Sequence, residues 1–210
     1  MAKLFGLTPV KAYGLTPKKA YGIPFLTAYN KSYQPSTTGD NGYYYRWVDY
    51  TAAGSPMYSG SMGSSQPCDI WGRFPSIDIP AGAVVTSAYI RLRAAATNSS
   101  ATAKVKIYFN DVDDASNPST GYGSDYDSKA LTTAYESWTY PSVSSGSAYD
   151  SPDITDVVQE ILDRGGWSSG QDMMVMIKDD GSTAGVRRDW YAYGCGYEPY
   201  YPTLFVNYNA

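Results

Sequence analysis

The first 29 residues contain one eight-residue unit three times, and this repetition limits what the start of the chain can fold into. Two copies read GLTPVKAY (residues 6–13) and GLTPKKAY (14–21), and a degenerate third copy reads GIPFLTAY (22–29). Every copy contains a proline, which fixes φ, lacks a backbone donor and pushes the preceding residue toward extended geometry. The repeats therefore disfavour helix and are poorly suited to building a core of their own.

The repeats are better suited to lying along another molecule. Since eight is an even number, an extended strand would place the tyrosine of each copy on one face, at intervals of about 26 Å. We interpret residues 1–37 as an extended arm that orders on a partner, and a disordered low-complexity tail is the alternative. The predicted partner-binding residues are the aliphatic, tyrosine and lysine positions of the repeats: Leu7, Lys11, Tyr13, Leu15, Lys18, Lys19, Tyr21, Ile23 and Tyr29.

Charge is divided unevenly along the chain. Residues 1–37 contain five of the 16 lysines and arginines and none of the 20 acidic residues, so this segment carries +5. The other 11 basic and all 20 acidic residues lie in 38–210, which gives that segment −9. This asymmetry predicts that the basic arm binds an acidic partner, either nucleic acid or a neighbouring copy of the acidic segment. Five scattered lysines without arginine favour the neighbouring copy.

Residues 38–210 have the composition of an all-β domain. The 22 tyrosines and 20 glycines of the chain, together with few strong helix formers, favour strands and turns. Apolar and polar residues alternate clearly over 88–94 and 103–110, and the polar residues 97–100 between them predict a hairpin turn. An apolar stripe with helical spacing predicts one short helix over about 154–164. We therefore predict a jelly-roll β-sandwich at 38–210, preceded by the arm at 1–37.

Residues 71–208 resemble a known type of sandwich domain. Residues 71–92 read WGRFPSIDIPAGAVVTSAYIRL and residues 108–115 read YFNDVDDA. These runs, followed by later blocks at 131–138, 151–167 and 191–208, are similar in order to DNRLRE-type jelly-roll domains, which are related to alginate-binding carbohydrate modules. The resemblance implies a non-catalytic jelly roll of the kind found in phage structural proteins and on bacterial surfaces. Fold alone does not assign a function.

Few residues suggest catalysis. The chain has no histidine, and its three glutamates, Glu136, Glu160 and Glu198, share no motif that would support glycoside hydrolysis. We therefore predict no enzymatic activity and no cofactor. The two cysteines, Cys68 and Cys195, are expected to be free or buried thiols, and a disulfide between them is the alternative.

Two clusters are candidate binding sites. Asp111, Asp113 and Asp114 could hold calcium, although a solvated turn explains these residues better. Aromatic residues are dense near residues 43–47 and 190–201, where tyrosine and tryptophan would suit either sugar rings or a protein interface. Part of each aromatic set belongs to the core, and the predicted exposed interface consists of Tyr197, Tyr200 and Tyr201.

These observations favour a virion structural protein of a phage-like particle, such as a capsid decoration, fibre or tail component. The expected partners are neighbouring copies or a lattice protein of the particle, and neither nucleic acid nor a membrane. No run of apolar residues predicts a secretory signal or a membrane span, which is typical of a particle component released by lysis. The alternative is an extracellular or cell-surface carbohydrate-binding module that recognises a polysaccharide.

Overall fold

The alternating segments of the sequence form antiparallel strands in two stacked β-sheets. A computed structural model describes residues 26–46, 50–63, 66–99 and 101–210. The strands in this part of the chain are β1 (Ala28–Tyr33), β2 (Asn41–Tyr45), β3 (Tyr50–Ala53), β4 (Met57–Met62), β5 (Gln66–Phe74), β6 (Val84–Arg93), β7 (Ala103–Phe109), β8 (Glu136–Tyr140), β9 (Ala148–Asp150), β10 (Met173–Asp179), β11 (Arg187–Trp190) and β12 (Thr203–Asn209). The α-helices are α1 (Gly123–Asp127) and α2 (Thr155–Leu162), and short 3-10 turns lie at Thr38–Asp40, Tyr193–Cys195 and Glu198–Tyr200.

The smaller sheet has four strands in the order β1-β12-β6-β9. The larger sheet has the order β11-β4-β5-β10-β7-β8, and β2 pairs with β5 and with β3. The apolar faces of both sheets enclose one main core, to which β5, β6, β7, β10 and β12 all contribute buried side chains. The prediction of an all-β sandwich is therefore confirmed.

The hairpin predicted at residues 97–100 is wrong. β6 belongs to the smaller sheet, whereas β7 pairs with β10 and β8 in the larger one. The buried residues Ile90 and Ile107 lie in the same core cluster, because the two strands face each other across the sandwich. The segment between them crosses from one layer to the other, with bridges from Ala94 to Trp190 and from Asn98 to Val143.

The predicted helix is present and is slightly shorter than expected. α2 buries its apolar stripe of Val157, Val158, Ile161 and Leu162, and it packs against β6 of the smaller sheet and β7 of the larger one. Asp153 accepts a hydrogen bond from the Thr155 N–H at 2.8 Å, which satisfies a backbone donor of the first turn. The five residues of α1 carry no helical periodicity, and the sequence therefore did not predict this second helix.

A second, smaller apolar cluster lies on the side of the larger sheet that faces away from the main core. Tyr44, Trp71, Tyr126, Met174 and Met176 are buried there. α1 contributes Tyr126 to this cluster, which explains why a five-residue helix is held in place. The dense aromatic residues near position 43 are therefore partly core residues.

The division between arm and sandwich lies earlier in the chain than residue 37. β1, within the predicted arm, pairs with β12 over the register Ala28–Asn209 to Tyr33–Leu204. The spacing of the prolines explains why a strand can form here. After Pro24 the chain runs without a proline until Pro35, which leaves enough continuous donors for a strand.

Asp40 ties the chain that follows β1 to the larger sheet. Its buried carboxylate accepts hydrogen bonds from the backbone N–H groups of Ser36 and Thr37 and from the side chains of Arg73 and Asn117. Burial opposes ionisation of this carboxyl, but the hydrogen bonds from Arg73, Asn117 and Ser36 outweigh it and hold the pKa of Asp40 well below its usual range. Asp40 is therefore a charged anchor at the start of the sandwich.

Candidate functional site

The outer edge of β1 carries backbone groups with which no described strand pairs. The Thr27 N–H donates to the Ala210 carbonyl at 2.9 Å, and the Ala210 N–H donates to the Thr27 carbonyl at 3.1 Å. Since hydrogen-bonded pairs alternate along an antiparallel ladder, every second residue from Thr27 onward bonds to β12. The alternate residues, whose N–H and C=O groups point away from β12, are Ala28, Asn30 and Ser32. Among the described strands, none pairs with this side of β1.

Tyr29 is the one predicted partner-binding residue of the arm that lies in the described part of the chain. It is 39% exposed, and its ring stacks on Tyr208 with the centroids 5.0 Å apart and the planes 17° from parallel. The ring therefore helps to attach β1 to β12. The other predicted arm residues lie outside the described residues: Leu7, Lys11, Tyr13, Leu15, Lys18, Lys19, Tyr21 and Ile23.

Asp78 fixes the middle of β1 against the loop that precedes β6. Lys31 forms a salt bridge with Asp78, and the Tyr33 hydroxyl donates to the same carboxylate at 2.6 Å. The hydrogen bonds from Lys31 and Tyr33 lower the pKa of Asp78, and the bond from Lys31 to Asp78 raises the pKa of Lys31. These contacts use side chains on one face of β1 and involve none of the backbone groups at its outer edge.

An arginine-aromatic row lies on the outer face of the smaller sheet. The Tyr89 and Phe205 rings stack with centroids 4.8 Å apart, and the Arg91 guanidinium lies 5.1 Å from the centroid of Phe205. Two hydrogen bonds of 2.6 and 2.7 Å join Arg91 to Asp150 on β9. The Asp150 carboxylate and the Phe205 ring therefore fix the orientation of the Arg91 guanidinium together.

The predicted aromatic interface lies at the end of this row. Tyr197 is exposed to 55%, whereas Tyr200 and Tyr201 are half-buried. Tyr200 packs on Tyr197 with ring centroids 4.6 Å apart, and the Arg93 guanidinium also lies 4.6 Å from the Tyr200 ring. Arg93 was not among the predicted site residues. Its alternation with Leu92 predicted that Arg93 lies on the polar face of β6, but no local pattern indicated that Tyr200 would lie beside it.

An arginine pairs with two of the three aspartates at 111–114. Arg164, after α2, forms salt bridges with Asp111 and with Asp113, the latter at 2.6 Å. Asp114 accepts a hydrogen bond from the Asp172 N–H at 2.9 Å. Among the described residues no three histidine, cysteine, aspartate or glutamate side chains are grouped as metal ligands.

A cleft of about 620 Å³ lies beside the start of α2, between the helix and the loop before β8. Glu136, Asp153 and Asp156 line it, and Glu160 lies in an adjoining depression. The carboxylate of Glu160 accepts hydrogen bonds from the backbone N–H groups of Thr133 and Ala134. Burial opposes ionisation, but these bonds outweigh it and lower the pKa of Glu160. A lowered pKa is the opposite of what a general acid requires.

Both cysteines are free thiols. Cys68 is buried in β5, and Cys195 is partly exposed in the 3-10 turn after β11. The expectation of two unpaired thiols is confirmed. In the part of the chain that the structure describes, no helix is long and apolar enough to span a bilayer.

Comparison with known proteins identifies no family. No protein-family model matches the chain, and no curated protein sequence matches it. Among solved structures, a chain from the cryo-EM structure of mud crab tombus-like virus aligns with 100% of this chain and 89% of its own length. The two chains are 11% identical and superpose with a TM-score of 0.30, which is too low to support an inference about function.

Proposed function

We propose that this protein is a non-enzymatic structural component of a phage-like particle, serving as a capsid decoration, fibre or tail protein. The arm docks onto neighbouring subunits, and the sandwich is displayed on the outside. The observation that carries this proposal is β1, an edge strand whose first two residues, Ala28 and Tyr29, are the last two residues of the third repeat. Docking of the first two repeats by strand addition extends this behaviour to other subunits.

The third repeat supplies a concrete binding mode. Its last two residues, Ala28 and Tyr29, pair with Asn209 and Tyr208, and the tyrosine ring stacks on the ring opposite. The other two repeats end in the same Ala-Tyr pair, at 12–13 and 20–21. Added strands gain affinity from backbone hydrogen bonds and specificity from alternate side chains. Since proline cannot donate a backbone hydrogen bond, the proline of each repeat limits strand pairing to the few residues on either side of it.

Charge and repetition both support contacts between subunits. The basic arm that precedes β1 and the acidic sandwich of a neighbouring copy attract each other, since residues 1–27 carry +4 and residues 28–210, with 12 basic and 20 acidic side chains, carry −8. Several weak contacts along one arm raise the overall affinity, because each contact increases the effective concentration for the next. The proposal therefore needs no single strong site.

Full-length variants can test this assembly role. We expect a variant with Tyr13→Ser, Tyr21→Ser, Lys18→Glu and Lys19→Glu to lose self-assembly or particle binding in light scattering and co-sedimentation. The matched control is Lys104→Glu, which changes an exposed lysine of the sandwich and should assemble as the wild type does. Assembly of the arm variant at the wild-type concentration would contradict the proposal, and so would a wild-type protein that neither self-associates nor binds particles.

A second candidate function is recognition of a polysaccharide. The arginine-aromatic row and the exposed ring of Tyr197 favour it, because flat aromatic faces beside fixed hydrogen-bonding groups suit sugar rings. A glycan array and an alginate gel would test it with the wild type and with Tyr197→Ala. Selective binding that Tyr197→Ala weakens at least about tenfold, with the four-site arm variant unaffected, would favour this function over the assembly role.

A further inference from the structure

We propose that β1 is a self-complementary edge, and that β1 of one copy pairs antiparallel with β1 of a second copy around a twofold axis at Asn30. The pairing joins the two smaller sheets into one continuous eight-stranded sheet. It goes beyond arm docking because it uses β1 alone and none of residues 1–25. The occupant of this edge is therefore a second copy of this chain.

β1 stands out among the edge strands of the described chain. It has six residues, against three in β9, four in β11 and five in β8, which end the other sides of the two sheets. It contains no proline and no bulge against β12. Natural proteins shorten, charge or bend their edge strands to prevent pairing. The one charge on β1, Lys31, is matched by Asp78.

The backbone groups determine which registers are allowed. Ala28, Asn30 and Ser32 carry the outward N–H and C=O groups, so an outward residue must face an outward residue of the second copy. When the twofold axis passes through Asn30, that residue faces its own equivalent and Ala28 faces Ser32. This register uses every outward group of β1 and forms six hydrogen bonds.

The neighbouring registers are worse for identifiable reasons. Moving the axis to Lys31 would place two lysines directly opposite each other, which is destabilising. Moving it to Tyr29 would place Ser32 opposite Leu26, which precedes the strand. Only the register centred on Asn30 keeps all three outward residues of both copies paired without opposing like charges.

The side chains also complement each other in this register. On the face that Tyr29 shares with Lys31, each tyrosine lies opposite the lysine of the second copy, a cation beside an aromatic ring. On the other face the opposed residues are Ala28 with Ser32 and Asn30 with itself, all exposed and small or uncharged. No bulky side chain separates the two backbones.

The expected pair is weak on its own. Six backbone hydrogen bonds and a few cross-strand contacts form an interface at the small end of specific protein contacts. Many copies held on one particle would strengthen it through effective concentration. The test therefore needs high protein concentrations and a reporter at the axis itself.

The first test introduces a charge at the proposed twofold axis. Sedimentation velocity of the full-length chain over a concentration series measures the dimer dissociation constant. We expect Asn30→Lys and Asn30→Asp each to raise the dimer dissociation constant at least about fivefold, since like charges then face each other. An equimolar mixture of the two variants should restore pairing as a heterodimer. The control Ala148→Lys alters an exposed residue of β9, on the opposite edge of the same sheet, and should leave the constant unchanged.

Cross-linking provides the second test. In a Cys195→Ser background, Asn30→Cys should form an intermolecular disulfide under mild oxidation at least about tenfold faster than Ala148→Cys. Mass spectrometry should locate the bond between the two substituted positions. A mixture that fails to restore pairing, or an Asn30→Cys variant that cross-links no faster than the control, overturns the twofold pairing.

The outcomes separate this inference from the assembly role. If the arm variant still pairs at β1 but forms no larger assembly, both proposals stand. If the protein assembles but the Asn30→Cys variant forms no intermolecular disulfide, the arm proposal remains and the β1 pairing is wrong. If charge at position 30 weakens association but the mixture does not rescue it, a repeat of the arm occupies the edge and the twofold pairing is wrong.

Discussion

Tyr29 stacks on Tyr208 with the ring centroids 5.0 Å apart, and this contact fixes the end of the third repeat on the last strand of the chain. Tyr208 is buried, whereas Tyr29 is 39% exposed, so one ring covers the other from the solvent side. The same pair lies in the ladder between β1 and β12. In the described part of the third repeat, residues 26–29, the tyrosine therefore binds the chain to a neighbouring strand through its ring.

Tyr29→Ala should weaken the attachment of β1 to the sheet. The substitution removes a stacked aromatic pair and the apolar area that it covers, and we expect a loss of about 1–2 kcal/mol in the free energy of unfolding. Urea denaturation gives this value, and hydrogen exchange should show that the β1 amides that bond to β12 lose protection relative to the wild type, while those of β6 do not.

Leu26→Ala is the matched control for this substitution. Leu26 precedes β1 and is 59% exposed, so its truncation should change stability by less than about 0.5 kcal/mol. Equal effects of the two substitutions would show that the Tyr29 ring contributes nothing specific to holding the strand.

Asp40→Asn should be far more destabilising than the removal of a surface carboxylate. The Asp40 side chain is fully buried against Arg73, and its loss leaves the guanidinium with a weaker partner, at a cost of about 2–4 kcal/mol. Asp150→Asn removes the partner of Arg91, but both side chains are more than 40% exposed, and we expect about 0–1 kcal/mol. Chemical denaturation of both variants at pH 7 measures the contrast, and similar losses would refute it.

The same carboxylate should make stability depend on pH. The pKa of Asp40 is lowered in the folded state, so its contribution is complete above the unfolded value of about 3.9. It is lost as the pH falls below about 4 toward the folded pKa, because the unfolded chain then binds the proton more readily. The difference in stability between wild type and Asp40→Asn should therefore shrink between pH 5 and pH 2. A difference that stays constant or grows over this range would argue against a charged Asp40.

Strand and helix periodicity predicted much of the fold, but not which strands are neighbours. The alternation around Ile90 and Ile107 correctly identified two strands with one buried face each. It could not tell whether those faces lie side by side in one sheet or opposite each other in two, since both arrangements bury the same residues. The alternation of apolar residues is visible in the local sequence. The sheet to which each strand belongs depends instead on contacts between residues that are distant in the chain.

The candidate site was predicted less completely. The repeat predicted Tyr29 as a binding residue. It did not predict β1, because most of that strand lies in the proline-free run that follows the repeat. The sequence favoured a solvated turn at Asp111, Asp113 and Asp114, with calcium as the alternative, and nothing near them in sequence indicated that Arg164 would pair with two of them. A counter-ion 51 or 53 residues away leaves no local signal in the sequence.

The two thiols should differ sharply in reactivity. Cys68 is buried in β5, and burial raises the pKa of its thiol, so the reactive thiolate is scarce and inaccessible. Cys195 is partly exposed, and its sulfur lies 3.6 Å from the Tyr197 carbonyl in a surface turn. Titration of the folded protein with an aromatic disulfide reagent should therefore modify one thiol quickly, and denaturation should release the second.

Cys195→Ser provides the decisive control for this assignment. The folded variant should show no rapid reaction, while the denatured variant should show one thiol. Cys68 lies in β5, the same strand as the core residue Ile70. The rate of its slow modification therefore measures how often the larger sheet opens. Its rate should increase with denaturant in step with the unfolding transition. A fast phase that survives Cys195→Ser would mean that β5 opens without global unfolding.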